Sequence, residues 1–174
     1  MGGCSILDIG CGTGEILKLL PQVTYLGIDH NEANIRSAKR KFGSKARFIC
    51  DRIDNVFKYD LKDYDIILAF GVLHHLDDGS AKLLFKIAQK VMKPKGRLYT
   101  TDPCYKEGMS RLVQFTVSID QGNHIRYGNE YLNLGKTIFE TAKIHYVNMF
   151  KFPCRMFGHG NYFNCRHYFS NNFV

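Results

Sequence analysis

No apolar run in this chain approaches the ~20 residues needed to span a bilayer. The opening Met-Gly-Gly-Cys-Ser has no basic stretch leading into an apolar one, so no signal peptide and no membrane partner are expected. The six cysteines, at 4, 11, 50, 104, 154 and 165, contain no Cys-x-x-Cys pair. That absence argues against a disulfide framework, and thiols in strands or turns behave as small hydrophobes. A reducing, cytoplasmic setting is therefore expected. Cys154, His159, Cys165 and His167 can be written as a zinc set, but their spacing fits no standard ligand pattern. A surface hairpin is the plainer reading, and no metal is expected. There are no internal repeats and no low-complexity tracts.

Acidic residues are the scarcer charge: 16 Asp and Glu against 24 Lys and Arg leave a formal net charge of +8. Such an excess invites a nucleic-acid partner. Much of it has a simpler home. Lys82, Lys86 and Lys90 recur every four residues opposite Leu83, Leu84, Ile87 and Val91, the pattern of a helix with one wet stripe. Lys93 and Lys95 follow at its C-terminal end, where the helix dipole favours cations. No nucleic-acid module is recognisable. At 174 residues, 45% hydrophobic and 23% charged, the chain reads as a single soluble globular domain with one real core.

What is present is concentrated in Leu7-Asp8-Ile9-Gly10-Cys11-Gly12-Thr13-Gly14. Ser5 to Ile9 reads as a buried strand breaking into a glycine turn, and Glu15 to Leu20 as one or two helical turns. Strand, glycine turn and helix let a backbone approach a nucleotide-like ligand closely. The dinucleotide fingerprint would need glycine at position 15, which is Glu15. A carboxylate at a helix start disfavours a pyrophosphate, whereas a ligand bearing an ammonium group would suit Asp8.

Further along, strand and helix alternate. Strands are expected at Thr24 to Ile28, ending at Asp29, at Arg47 to Cys50, ending at Asp51, at Tyr64 to Phe70, and at Arg97 to Thr101. Helices are expected from Asn31 to Phe42, closed by Gly43, and from about Gly79 to Met92. Repeated units of this length imply a parallel sheet with helices on both faces. Beyond them a helix is expected over about Ser110 to Ile119. Asn129 is placed to cap another running to about Glu140. Ile144 to Phe152 and Tyr162 to Phe169 read as an antiparallel pair.

Four segments together resemble the class I S-adenosylmethionine-dependent methyltransferases: residues 7–14, Tyr-Leu-Gly-Ile-Asp at 25–29, Phe-Ile-Cys-Asp at 48–51, and Ala-Phe-Gly-Val-Leu-His-His-Leu at 69–76. Their order and separations fit that family over residues 5–101. The resemblance implies an α/β, Rossmann-like fold: a mostly parallel seven-stranded sheet with a terminal antiparallel hairpin. It implies one domain over 1–174, with a cofactor-binding half at 5–101, an acceptor-side insertion at 102–128, and a helix plus antiparallel strands at 129–174. Asp102-Pro103-Cys104-Tyr105, Asp120-Gln121-Gly122 and His124-Ile125-Arg126 resemble a subgroup acting on small molecules.

The cofactor so implied is S-adenosyl-L-methionine, whose adenosine and cationic amino-acid ends match the residues. Asp8 with Gly10, Cys11, Gly12 and Gly14 would hold the methionine end. Asp29 lies 19 residues after Gly10, close to the ~20 at which an acid meets a ribose diol; its competing role is a helix cap. His30 lies beside it. Asp51 would accept from the adenine amino group, with Arg52 and Ile53 against the ring. Phe70 and Gly71 would lie under the methionine arm. His75 or His74 could take a proton from a hydroxyl or amine nucleophile. Either could equally shape the pocket, since an activated sulfonium leaves much of the rate to positioning. Asp102, Tyr105, Arg111 and Arg126 are candidate acceptor contacts. The Asp102 tetrapeptide is like the Asp/Asn-Pro-Pro-Tyr signature of nitrogen methyltransferases. It follows the fifth strand rather than the fourth, however, so that activity is not assigned.

The glycine turn begins ten residues into the chain, where the family usually places a helix or more ahead of the first strand. A truncated chain, a partner subunit or a homo-oligomer covering that side is expected to account for the difference. The expected function is methyl transfer to an oxygen, nitrogen or carbon nucleophile of a small molecule. RNA methylation and a non-catalytic cofactor-binding subunit are the alternatives. A nicotinamide oxidoreductase is set aside because of Glu15.

Overall fold

The computed structural model describes residues 3–109, 111–118, 122–154 and 158–170. The strands are β1 (Ser5–Ile9), β2 (Thr24–Asp29), β3 (Arg47–Cys50), β4 (Tyr64–Phe70), β5 (Met92–Tyr105), β6 (Arg126–Tyr127), β7 (Thr141–Cys154) and β8 (Gly158–Ser170). The helices are α1 (Glu32–Phe42), α2 (Asp78–Val91), α3 (Arg111–Ser118) and α4 (Gly128–Lys136). Short 3-10 turns follow β1, β3 and β4. The sheet runs β3-β2-β1-β4-β5-β8-β7, with β6 on β5. All pairs are parallel except β5–β8 and β8–β7. The strand order reverses at β1, and in open α/β sheets ligands bind beyond the carboxyl ends at such a switch.

Helices pack on both faces, as the alternation of strand and helix requires. α1 begins where the Asn31 side chain accepts from the Ala33 and Asn34 amides at 2.9 and 3.2 Å. It buries Ile35 and Ala38 against one face. α2 is capped by Asp77, which accepts from the Ser80 amide at 2.7 Å, and buries Ala81, Leu84, Phe85, Ile87, Ala88 and Val91 in the larger core. Phe85 meets Phe139 and Phe169 edge-on. Lys82, Lys86 and Lys90 are all exposed, as a solvated stripe should be. No helix among the described residues is long and apolar enough to cross a membrane.

Several boundaries differ from the sequence expectation. Eight strands pair instead of seven, because Arg126–Tyr127 joins β5. β5 extends well beyond Arg97 to Thr101; a register shift against Tyr64 and Ile66 absorbs Pro94 and Gly96. α4 starts at Gly128, with Tyr127 at its cap position and its amide donating to Glu130 at 2.7 Å. Asn129 therefore lies inside the first turn, and the helix ends at Lys136 rather than near Glu140. β7 and β8 are longer than the aromatic segments that announced them. Ser110, Ile119, Asp120 and Gln121 lie outside the described residues, so the ends assigned to α3 do too.

Candidate active site

The glycine turn leaves β1 with Gly10, Gly12 and Gly14 at φ of 73°, 55° and 75°. A side chain at Gly10 would collide with Val72, its Cβ falling 2.4 Å from Cγ2. At Gly12 nothing lies within 4 Å of where a Cβ would stand. The turn thus keeps open space over Gly12, the kind of cradle a ligand needs. The Cys11 side chain turns inward and packs beside Gly27, whose own Cβ would fall 2.7 Å from its sulfur. Burial holds that thiol protonated.

Asp29 closes the turn from β2. One carboxylate oxygen accepts from the Gly12 amide at 2.8 Å and the other from the Asn31 amide at 2.7 Å. The α1 cap is Asn31, so Asp29 is not the cap its position also allowed. His30 is exposed, its Nδ1 3.9 Å from Asp29. Asp8 is 5% exposed and accepts from the Tyr25 hydroxyl at 2.5 Å. Burial, offset in part by that hydrogen bond and reinforced by Asp29, pushes its carboxyl up to about 7. Among the described residues, neither Asp8 nor Asp29 pairs with a lysine or arginine. Two buried carboxyls without a cation favour a positively charged guest and oppose a pyrophosphate. Glu15, the residue first read as repelling an anion, is bound by Lys18 and Lys41. The discrimination therefore rests on Asp8 and Asp29 instead.

Asp51 follows β3 and accepts from Asn55 Nδ2 at 2.7 Å, the Tyr59 hydroxyl at 2.8 Å and the Arg52 amide at 2.8 Å. These donors hold its carboxyl below the usual range, so it stands as an ionised acceptor at the rim. The Arg52 guanidinium turns away to Asp54. Phe70, 40% exposed, and Gly71, at φ of 68°, form the tip of β4.

The loop after β4 carries the histidines. His74 is buried, its Nδ1 2.9 Å from Asp102 Oδ1, which also accepts from the His74 amide at 3.2 Å. In the tautomer whose Nδ1–H donates to Asp102, Nε2 carries the ring's lone pair. His75 is exposed and lies against His74, ring centroids 4.0 Å apart. Gly122 abuts the other side: a Cβ there would fall 2.2 Å from His74 Cδ2.

Two candidate acceptor contacts are supports instead. Asp102 is wholly buried beneath His74. Arg126 spends its guanidinium on Asp78 and on the Leu73, Leu76 and His124 carbonyls, at 2.7 to 3.0 Å, and lies over the Tyr131 ring. It ties the insertion to the histidine loop. Tyr105 pairs with the Tyr127 ring, and Arg111 is exposed. His167, of the zinc set, uses Nδ1 on Thr100 and Nε2 on the Gly128 carbonyl, at 3.2 and 3.0 Å. The Cys165 thiol reaches the Asp102 carbonyl, and the side chains of Cys154 and His159 lie outside what is described. Tyr25 and Gly122 lie in the quoted segments, but their contacts with Asp8 and His74, like those of Asn55 and Tyr59 with Asp51, are not foreseen in the sequence. Asn55 and Tyr59, four and eight residues after Asp51, carried the most readable signal.

Residues 2–154 match the family described as "Methyltransferase domain". Among curated proteins, the chain is 33% identical over 97 residues to the human "Probable tRNA methyltransferase 9B", covering 55% of this chain and 20% of that protein. It is 31% identical over 99 residues to the "Ubiquinone biosynthesis O-methyltransferase" of Bradyrhizobium diazoefficiens, covering 55% and 38%. The chain thus matches well under half the length of either relative. In fold it is similar to a SAM-dependent methyltransferase from Archaeoglobus fulgidus, with TM-score 0.73 and 18% identity, over 97% of this chain and 87% of that one. The glycine turn, the two acids at successive strand ends and the strand order agree with these matches, and the chain belongs to the methyltransferase-domain family of the class I S-adenosylmethionine-dependent superfamily.

Proposed function

We propose that this chain transfers a methyl group from S-adenosylmethionine to an oxygen, nitrogen or carbon nucleophile of an acceptor held beyond β4 and β5. The observation that carries the reading is a pair of buried carboxyls that no lysine or arginine meets among the described residues: Asp8 on β1, and Asp29 on β2, which holds the Gly12 amide beneath open space. When bound, the cofactor supplies an electrophilic methyl on a sulfonium. Asp8 faces its cationic amino-acid end, and Gly10, Cys11, Gly12 and Gly14 let the backbone come close. Asp29, with His30 beside it, accepts from the ribose hydroxyls, and Asp51, with Arg52, from the adenine amino group. Phe70 and Gly71 lie beneath the methionine arm.

His75 accepts the proton of the incoming nucleophile at a ring nitrogen, and the exposure of His75 beside a buried His74 supports this order of roles. His74, anchored by Asp102, positions it. The relatives divide between a tRNA acceptor and a small-molecule one, the latter being the class expected from the insertion. The test is transfer of a labelled methyl group to a panel of phenols, carboxylic acids and RNA. His75→Ala is expected to lower kcat ~100-fold while leaving cofactor affinity intact. Wild-type turnover by that variant would remove the base and leave positioning to supply the rate. Cofactor binding without transfer to any acceptor would favour the regulatory-subunit reading.

A further inference from the structure

The two faces of the sheet over β5, β8 and β7 differ in kind. One is buried under α2 and α4 and includes Leu98, Asp102, Cys165 and Phe169. The other is fixed by register. Tyr99 pairs with Tyr168, and Tyr168 with Lys143, in one row. Phe70 pairs with Thr101, and Thr101 with Arg166, in the next. Tyr99 and Tyr168 lie with ring centroids 5.5 Å apart, and the Arg97 guanidinium sits 5.6 Å from the Tyr168 ring. Arg166 and Lys143 are exposed and meet no carboxylate among the described residues.

The strands themselves bring no negative charge to this face. β7 and β8 contain no Asp or Glu, and the single acid of β5, Asp102, points to the opposite face. A merely solvated face would mix charges of both signs. This one combines stacking planes with uncompensated cations, the composition that tracks a single strand of nucleic acid. A cavity of about 510 Å3, lined in part by Phe70, Gly71, Tyr99, Thr101 and Arg166, joins the tip of β4 to this face.

We propose that this face binds single-stranded RNA. The phosphates lie along Arg166 and Lys143, bases stack at Tyr99 and Tyr168, and one base turns into the cavity beside Gly71. On the methyltransferase reading, on which this last step rests, the acceptor atom belongs to that base or its ribose.

The experiment is fluorescence anisotropy with a labelled, unstructured RNA of ~12 nucleotides, over a series of salt concentrations, paired with calorimetric titration of S-adenosylmethionine into the same proteins. The wild type is expected to bind RNA with an affinity that falls as salt rises. Arg166→Ala combined with Lys143→Ala is expected to weaken binding ~10-fold or more and to flatten the log–log salt slope by about 1.4, near 0.7 for each phosphate lost. Tyr168→Ala is expected to weaken it ~10-fold, with Tyr168→Phe restoring it. Cofactor affinity should be unchanged in all of them. No RNA binding at low salt, or wild-type binding by both variants, overturns the proposal. So does a sedimentation profile in which the charge variants only dissolve a dimer. Cofactor bound without RNA removes this surface and leaves the methyltransferase reading; RNA bound without cofactor does the reverse.

Discussion

A carboxyl that is 5% exposed and held by one phenol gives up its proton late, and Asp8 is pushed up to about 7 by burial. A cation arriving beside it favours the ionised form and lowers its pKa again. Binding of S-adenosylmethionine between pH 6 and 7 should therefore release a fraction of a proton. Affinity should rise with pH through about 7 and level off above, where Asp8 is already ionised. Calorimetry in two buffers of different ionisation enthalpy measures the released proton directly, and Asp8→Asn should abolish both the release and the pH dependence. An unchanged release in that variant would place the titrating group elsewhere. Asp8 and Asp29 stood out in the sequence as strand-end acids near glycines, and the structure finds both buried. What spacing could not give was Tyr25 as the partner of Asp8. That contact depends on how the β2 side chain reaches across to β1. The second role of Asp29, holding the turn through the Gly12 amide, was hidden for the same reason.

Between elements, Arg126 ties several segments together. It joins the start of β6 to the loop that carries His74 and His75 and to the first residue of α2. Removing a buried guanidinium takes a donor from three carbonyls and leaves that of Leu76 bare, while those of Leu73 and His124 keep the Leu76 amide and the Tyr131 hydroxyl; Arg126→Ala should cost about 3 kcal/mol of stability. Arg126→Lys should recover only part, because an ammonium cannot reproduce the planar fork. Thermal or urea unfolding of both variants measures this; a loss within ~0.5 kcal/mol for Arg126→Ala would show that the loop is held by other contacts. The order β-α-β over residues 5–101 was legible because each strand is a short apolar run ending in Asp or Gly, and each helix carries its own cap or closing residue. The acceptor side was less so. Arg126 reads in the sequence as a candidate acceptor contact because nothing local announces that it meets loops roughly fifty residues upstream. The α4 cap was misplaced by two residues because a tyrosine occupies a position usually filled by Ser, Thr, Asp or Asn.

Across the whole molecule, the +8 charge is divided among unlike surfaces. The lysines of α2 form an ordinary solvated stripe, whereas Arg97, Arg166 and Lys143 gather on one sheet face to which β5, β7 and β8 bring no acid. Composition alone could not separate the two, since the pairing of β5 with β8 and of β8 with β7 decides which side chains share a face. The crevice proposed for the cofactor lies at the opposite extreme of charge, with Asp8, Asp29 and Asp51 at or next to the ends of three adjacent strands. A basic platform leading to an acidic crevice fits a polyanionic acceptor and a cationic cofactor meeting at the tip of β4. The central claim is the cofactor, and it is tested most directly by calorimetric titration of the chain with S-adenosylmethionine, S-adenosylhomocysteine and NAD, each repeated with Asp29→Ala. The first two should bind with micromolar affinity, at least ~10-fold weaker in the variant because the proposed ribose acceptor and the tie to Gly12 are lost together. Absence of binding by both, or binding of NAD in their place, would contradict the account.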